Sequence, residues 1–118
     1  MKLDLSSEQA LTRFACDVAM ALKPGDCLLL QGDLGAGKST FARAAIRALA
    51  GDRKGRLEVP SPTFTLVQSY DLRIPVAHFD FYRIADPAEV EELGLVEALE
   101  TGVALVEWPE RAEGNLPV

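Results

Sequence analysis

Apolar positions first recur at helical spacing. Leu11, Phe14, Ala15, Val18 and Leu22 form one stripe of a helix predicted from about Ser7 to Leu22, with Arg13 and Asp17 turned outward. Ser6-x-x-Gln9 supplies a capping box to open it, and Lys23-Pro24-Gly25-Asp26 a turn to close it. The pattern then becomes a continuous run, Cys27-Leu28-Leu29-Leu30-Gln31, which predicts a short strand buried on both faces, as in parallel sheets. A glycine-rich loop leads into a second amphipathic helix, Ser39 to about Ala50, closed by Gly51.

Beyond the basic loop Gly51-Asp52-Arg53-Lys54-Gly55-Arg56, the turn Ser61-Pro62-Thr63 leads into Phe64 to Tyr70, rich in strand-forming residues. A connection over Asp71 to Pro75 precedes a further strand, Val76 to Tyr82. Asp86-Pro87-x-Glu89 predicts a helix start, with an N-cap acid, proline at the first position and an acid at the third. That helix breaks near Gly94 and resumes to Glu100, and Thr101-Gly102 turns into a last buried strand, Val103 to Glu107. The alternation of helices and strands predicts an α/β fold. There are no internal repeats and no low-complexity tract.

At 118 residues the chain predicts one domain, residues 1–118. Hydrophobic residues at 48% and charged residues at 25% exclude wholesale disorder. The balance of 12 Lys+Arg against 18 Asp+Glu leaves −6, a surface that repels phosphate backbones and makes direct nucleic-acid binding unfavourable. No apolar run approaches the roughly 18–20 residues of a membrane span, and the first residues lack the apolar core of a secretory signal, so a cytoplasmic protein is expected. Cys16 and Cys27 fit neither a C-x-x-C pair nor a disulfide framework and read as reduced thiols. One His and two Cys argue against a structural zinc site.

Gly32-Asp33-Leu34-Gly35-Ala36-Gly37-Lys38-Ser39 matches G-x-x-x-x-G-K-[ST] at every required position, with a buried strand before it and an amphipathic helix after it. That is the context the mechanism needs. Gly35 and Gly37 let backbone N–H groups turn inward around phosphate oxygens, and the helix N-terminus adds partial positive charge. Lys38 is expected to reach the β- and γ-phosphates and Ser39 to place its hydroxyl on Mg²⁺, which makes this a nucleotide-binding P-loop.

Such chemistry also needs an acid at the end of a neighbouring strand and a group to position water. Glu107 closes the apolar run Val103 to Val106, where a Walker-B acid sits. Asp80 lies in His78-Phe79-Asp80-Phe81-Tyr82, whose period of two puts His78, Asp80 and Tyr82 on one face and the phenylalanines on the other. The plainer alternatives are a salt bridge from Asp80 to Arg83 and a solvated strand end at Glu107. Thr63, after its Ser-Pro turn, is either a sensor of the γ-phosphate or an ordinary turn residue. His78 reads by default as a hydrogen-bonded strand histidine rather than a general base, and Trp108 as packing that sets a fluorophore near the proposed metal site. Between Arg83 and Arg111 lie eight acids and no base, a solvated face or a dock for a basic partner.

Taken together, these blocks resemble the TsaE (YjeE) family, ATPases of bacterial threonylcarbamoyladenosine tRNA modification. The residues that carry the resemblance are Gly32 to Thr40, Ser61-Pro62-Thr63-Phe64-Thr65-Leu66-Val67, His78-Phe79-Asp80-Phe81-Tyr82-Arg83, Ala85-Asp86-Pro87 and Leu105-Val106-Glu107-Trp108-Pro109. The resemblance implies a P-loop NTPase-type three-layer sandwich around a central, mostly parallel sheet, binding ATP and Mg²⁺. It implies nucleotide contacts from Asp33, Leu34, Gly35, Ala36, Gly37, Lys38, Ser39, Thr40 and Thr63, and an approach to adenine near Glu8. Ser39, Glu107 and Asp80 would be metal-associated, and Asp80, Glu107 and Lys38 catalytic. It further implies work with a TsaD–TsaB complex that transfers a threonylcarbamoyl group to adenosine 37 of tRNAs reading ANN codons. ATP hydrolysis would reset that complex, with tRNA held only through the partners. Family members continue with further strands where this chain stops at Val118, so the expectation is either a sequence truncated relative to the family or a sheet lacking C-terminal edge strands.

Three rivals use the same loop. A small-molecule kinase needs a lid, for which only Arg53-Lys54-Gly55-Arg56 is available; a GTPase needs an Asn-Lys-x-Asp segment that the sequence lacks. A non-hydrolysing nucleotide-dependent interaction module would keep its function without Asp80 or Glu107.

Overall fold

The two continuous apolar runs form the middle of a five-stranded sheet. In a computed structural model, which describes residues 2–4, 8–31, 38–51, 57–60, 62, 65–112 and 116, the elements in chain order are as follows. They are β1 (Lys2–Asp4), α1 (Glu8–Ala21), β2 (Cys27–Gln31), α2 (Lys38–Leu49), β3 (Val67–Asp71), β4 (Pro75–Asp80), α3 (Glu89–Glu92), α4 (Leu95–Thr101) and β5 (Val103–Glu107), then a 3₁₀ turn, Pro109–Ala112. The sheet order is β1-β2-β5-β4-β3. β1, β2, β5 and β4 run parallel, and β3 is antiparallel to β4. The chain is therefore α/β with a mostly parallel sheet, and its last strand is inserted between β2 and β4.

Helices cover both faces. On one side α1 and α2 bury Leu11, Ala15 and Ala19 with Phe41, Ala42, Ala45, Ile46 and Leu49 over Leu28, Leu30, Val76, Val103 and Leu105. The alanines at the meeting of the two helices allow close approach, while Phe41 and Ile46 each contribute about 1.5–3 kcal/mol of apolar burial. On the other side Val90 and Leu95 join Leu29, Phe79, Phe81, Ala104 and Val106. The alternation of β4 is thus used as expected, with the two phenylalanines sharing one core at a centroid separation of 5.7 Å. No helix among the described residues is long and apolar enough to cross a membrane.

Several boundaries differ from the expectation for local reasons. β1 was not foreseen, because a single leucine between Lys2 and Asp4 carries no periodic signal. β3 begins at Val67 rather than Phe64: Leu66 takes a left-handed φ of 69°, and its N–H closes a turn on the Pro62 carbonyl at 2.7 Å. β4 ends at Asp80 rather than Tyr82, since the Tyr82 N–H turns back to donate to Asp80 Oδ1 at 2.9 Å. Asp86 accepts the Ala88 N–H at 3.0 Å as a cap would, but regular helix starts only at Glu89. The break at Gly94 is real, with φ 82°. Phe14, assigned to the buried stripe of α1, is 45% exposed and lies edge-on to Phe41, because the stripe is centred on Ala15 and Ala19 instead.

Both cysteines are free thiols, Cys27 buried and Cys16 half-buried. Burial pushes the Cys27 thiol from its ordinary value of 9.0 up to about 11. The unfolded chain then loses this proton before the folded chain does, so the contribution to stability is complete below pH 9 and is lost as pH rises toward about 11. Denaturant titrations between these pH values are expected to show a steeper loss of stability for wild type than for Cys27→Ala. Equal slopes would show that the thiol does not titrate differently in the two states.

Candidate functional site

Parallel strands direct their C-terminal ends to one edge of the sheet, where open α/β sheets bind ligands. Across that edge Leu30, Glu107 and Asp80 lie in one row, Leu30 opposite Glu107 and Glu107 opposite Asp80. The pleat turns both carboxylates to the face that carries α1 and α2, the same face as Val76, Val103 and Leu105. Asp80 is 3% exposed and Glu107 2%. Lys38 opens α2, which follows β2, and is itself 4% exposed. One cation and two carboxylates are thus withdrawn from water at the same edge, an arrangement that costs several kcal/mol for each charge left unpaired.

Each charge has partners. Asp80 Oδ1 accepts the Tyr82 N–H. His78, two residues before Asp80 and on the same face, sets its Nε2 2.6 Å from Glu107 Oε2. Lys38 Nζ lies 3.2 Å from the centroid of the Trp108 ring, a cation–π contact. Trp108 reaches that place because it leaves β5 with a left-handed φ of 57°. Its ring packs on Tyr82 at 4.8 Å between centroids, and Arg111 stands over Tyr82 at 5.1 Å. A ladder of Lys38, Trp108, Tyr82 and Arg111 therefore runs from the buried cation to the surface.

The structure sets Asp80 and Glu107 side by side, brings His78 to Glu107, and places Lys38 against Trp108, the residue that follows Glu107. Glu8 and Ser39 sit in the first turns of α1 and α2, and Thr40 is half-buried beside Lys38. Asp33, Leu34, Gly35, Ala36, Gly37 and Thr63 lie outside the described residues, as does the Arg53-Lys54-Gly55-Arg56 segment. The pairings of His78 with Glu107 and of Lys38 with Trp108 were not foreseen. The spacing of His78 from Asp80 was visible, but only the adjacency of β4 and β5 turns it into a contact.

The oxygen donors suit a hard cation such as Mg²⁺, which takes one or two carboxylates and completes its shell with substrate phosphates and water. Among the described residues no three His, Cys, Asp or Glu side chains converge into a cage that would hold a metal by protein ligands alone.

Comparison with known proteins bears on this arrangement. The family model described as "Threonylcarbamoyl adenosine biosynthesis protein TsaE" matches residues 5–118. A tRNA threonylcarbamoyladenosine biosynthesis protein TsaE of Rickettsia conorii is 42% identical over 107 residues, covering 90% of this chain and 59% of the relative. The protein of the same name from Bacillus subtilis is 47% identical over 97 residues, covering 80% and 58%. The crystal structure of Bacillus subtilis YdiB superposes with a TM-score of 0.72 at 36% identity, covering 94% of this chain and 66% of that one. The chain thus spans about three fifths of the length of these curated relatives.

Proposed function

Since the chain belongs to the TsaE family, we propose that it binds ATP with Mg²⁺ and hydrolyses it in the service of tRNA threonylcarbamoyladenosine formation. The observation that carries this reading is the buried row of Glu107 and Asp80 at the sheet edge, with Lys38 at the start of α2 beside it. A module that only binds Mg²⁺–nucleotide has use for one such carboxylate; the second supports a hydrolase, which needs a group to orient water.

In this reading the Gly32–Gly37 backbone and the α2 N-terminus cradle the phosphates, and Lys38 leaves the Trp108 face to reach the β- and γ-phosphate oxygens. Ser39 and one of the two carboxylates hold the cation, and the other carboxylate orients the attacking water. Bound Mg²⁺ would neutralise charge on the phosphate oxygens. Thr63 senses the γ-phosphate, and the segment near Glu8 borders the adenine. The chain's −6 charge suits a subunit that meets tRNA only through partners, here a TsaD–TsaB complex that hydrolysis resets between rounds.

ATP turnover by the purified chain, alone and with a TsaD–TsaB complex, tests the proposal. Weak turnover alone with a rise of about tenfold or more on adding the complex is expected. ATP binding with no turnover in either condition would favour a non-hydrolysing interaction module, and transfer of phosphate to an added acceptor would favour a kinase.

A further inference from the structure

Among the buried polar groups, His78 has no place in the reaction just described. It is 1% exposed on β4, between β5 and β3, with Nε2 2.6 Å from Glu107 Oε2 and with no hydrogen-bond partner for Nδ1 among the described residues. An unmet polar atom at a fully buried position works against stability. An apolar side chain would fill the same space without that cost, so packing alone does not account for an imidazole here. Among the described residues, the hydrogen bond of its side chain goes to the acid that ends β5.

Glutamate has three side-chain torsions, and a carboxylate that serves a metal or a water must be held to within a fraction of an ångström. His78 sits opposite Leu105 and Asp80 opposite Glu107, so the ring reaches diagonally across adjacent strands to the carboxylate. From this geometry we infer that His78 is a positioning residue, fixing the Glu107 carboxylate through Nε2···Oε2 for its work on the Mg²⁺–nucleotide. With Nε2 donating, Nδ1 is left as a bare acceptor. The tautomer is therefore set by Glu107, in the manner of partners that orient metal ligands from behind.

The inference rests on the proposed ATPase reading. The test uses two substitutions of similar polarity in the full chain. Glutamine at this position, His78→Gln, puts an N–H donor where Nε2 stands, whereas His78→Asn can put one only where Nδ1 stands. Two readouts are taken: kcat and KM for ATP with the TsaD–TsaB complex, and the ratio of ATP affinities with and without Mg²⁺, read from Trp108 fluorescence without turnover.

For His78→Asn a fall in kcat of about 10–100-fold is expected, with KM within about threefold and the Mg²⁺ enhancement of binding lost. His78→Gln should stay within about threefold of wild type in both readouts. In a Glu107→Gln background, adding His78→Asn should change nothing further, because the two residues act as one unit. Equal losses in Asn and Gln variants, an additional loss in the Glu107→Gln background, or wild-type behaviour of His78→Asn would each overturn the assignment. Absence of turnover in wild type would defeat the ATPase reading instead, and the binding ratio would still decide the role of His78.

Discussion

Glu107→Gln and Asp80→Asn chains are expected to bind ATP and yet turn it over at least about 100-fold more slowly than wild type. Lys38→Met, by contrast, should be impaired at the binding step itself. The division follows from where the groups stand. Lys38 opens α2 with its ammonium against Trp108, whereas the carboxylates sit in register at the ends of β4 and β5. A charge-assisted contact from lysine to phosphate is worth about 1.5–3 kcal/mol, so its loss weakens binding by about 10–150-fold.

Stability should respond differently. Removing the Lys38 cation forfeits a cation–π contact of about 2 kcal/mol and some compensation of the buried carboxylates, but also relieves a comparable cost of keeping that cation out of water, so the effects offset each other. The melting temperature of Lys38→Met is therefore expected within about 3 °C of wild type. Equilibrium binding to a fluorescent ATP analogue, single-turnover hydrolysis and thermal melts separate the three variants. Normal turnover by both carboxylate variants would remove Asp80 and Glu107 from the reaction.

Gly102→Ala is expected to be the most damaging conservative change in the fold, lowering stability by about 3 kcal/mol or more and the melting temperature by about 10–15 °C. A Cβ added at Gly102 would meet the Pro75 carbonyl oxygen at 2.1 Å and its carbon at 2.8 Å. Those atoms are backbone at the start of β4 and cannot step aside as a side chain can. The dihedrals of Gly102, φ −151° and ψ −156°, are extended and open to any residue, so the demand for glycine is one of space. Its carbonyl also accepts the Gly25 N–H at 2.8 Å, tying the start of β5 to the turn before β2.

The same clash would reach the site. Pushing β5 away from β4 at one end alters the register that sets Glu107 beside Asp80 at the other, so turnover should fall even at temperatures where the variant is folded. Thermal melts and steady-state ATPase assays of Gly102→Ala check both effects. A melting temperature near that of wild type would show that β4 and β5 yield at this point.

How much of this could be read from the chain before folding depended on whether the signal was local. β2 and β5 were legible to the residue, since strands buried on both faces are unbroken apolar runs between turn residues, Gly25-Asp26 before one and Thr101-Gly102 before the other. The strand and the helix that flank Gly32–Gly37 were legible because the strand–loop–helix spacing is itself the motif. The acids stood out because Asp80 is set between phenylalanines and Glu107 ends an apolar run. β1 was not legible, and Leu66 hid the true start of β3, because three residues carry no period and a left-handed leucine breaks no pattern.

What folding alone decided is which of these residues meet. β5 comes last in the chain but inserts between β2 and β4, and nothing in the composition of Val103–Glu107 specifies those neighbours. That insertion sets Glu107 opposite Asp80, brings His78 to its carboxylate and, through the left-handed exit at Trp108, lays an indole under Lys38. Hydrophobic periodicity acts over a few residues and dictates which face of an element is buried. Strand order and register come from packing two complete cores against both faces of the sheet, a condition that no local segment carries.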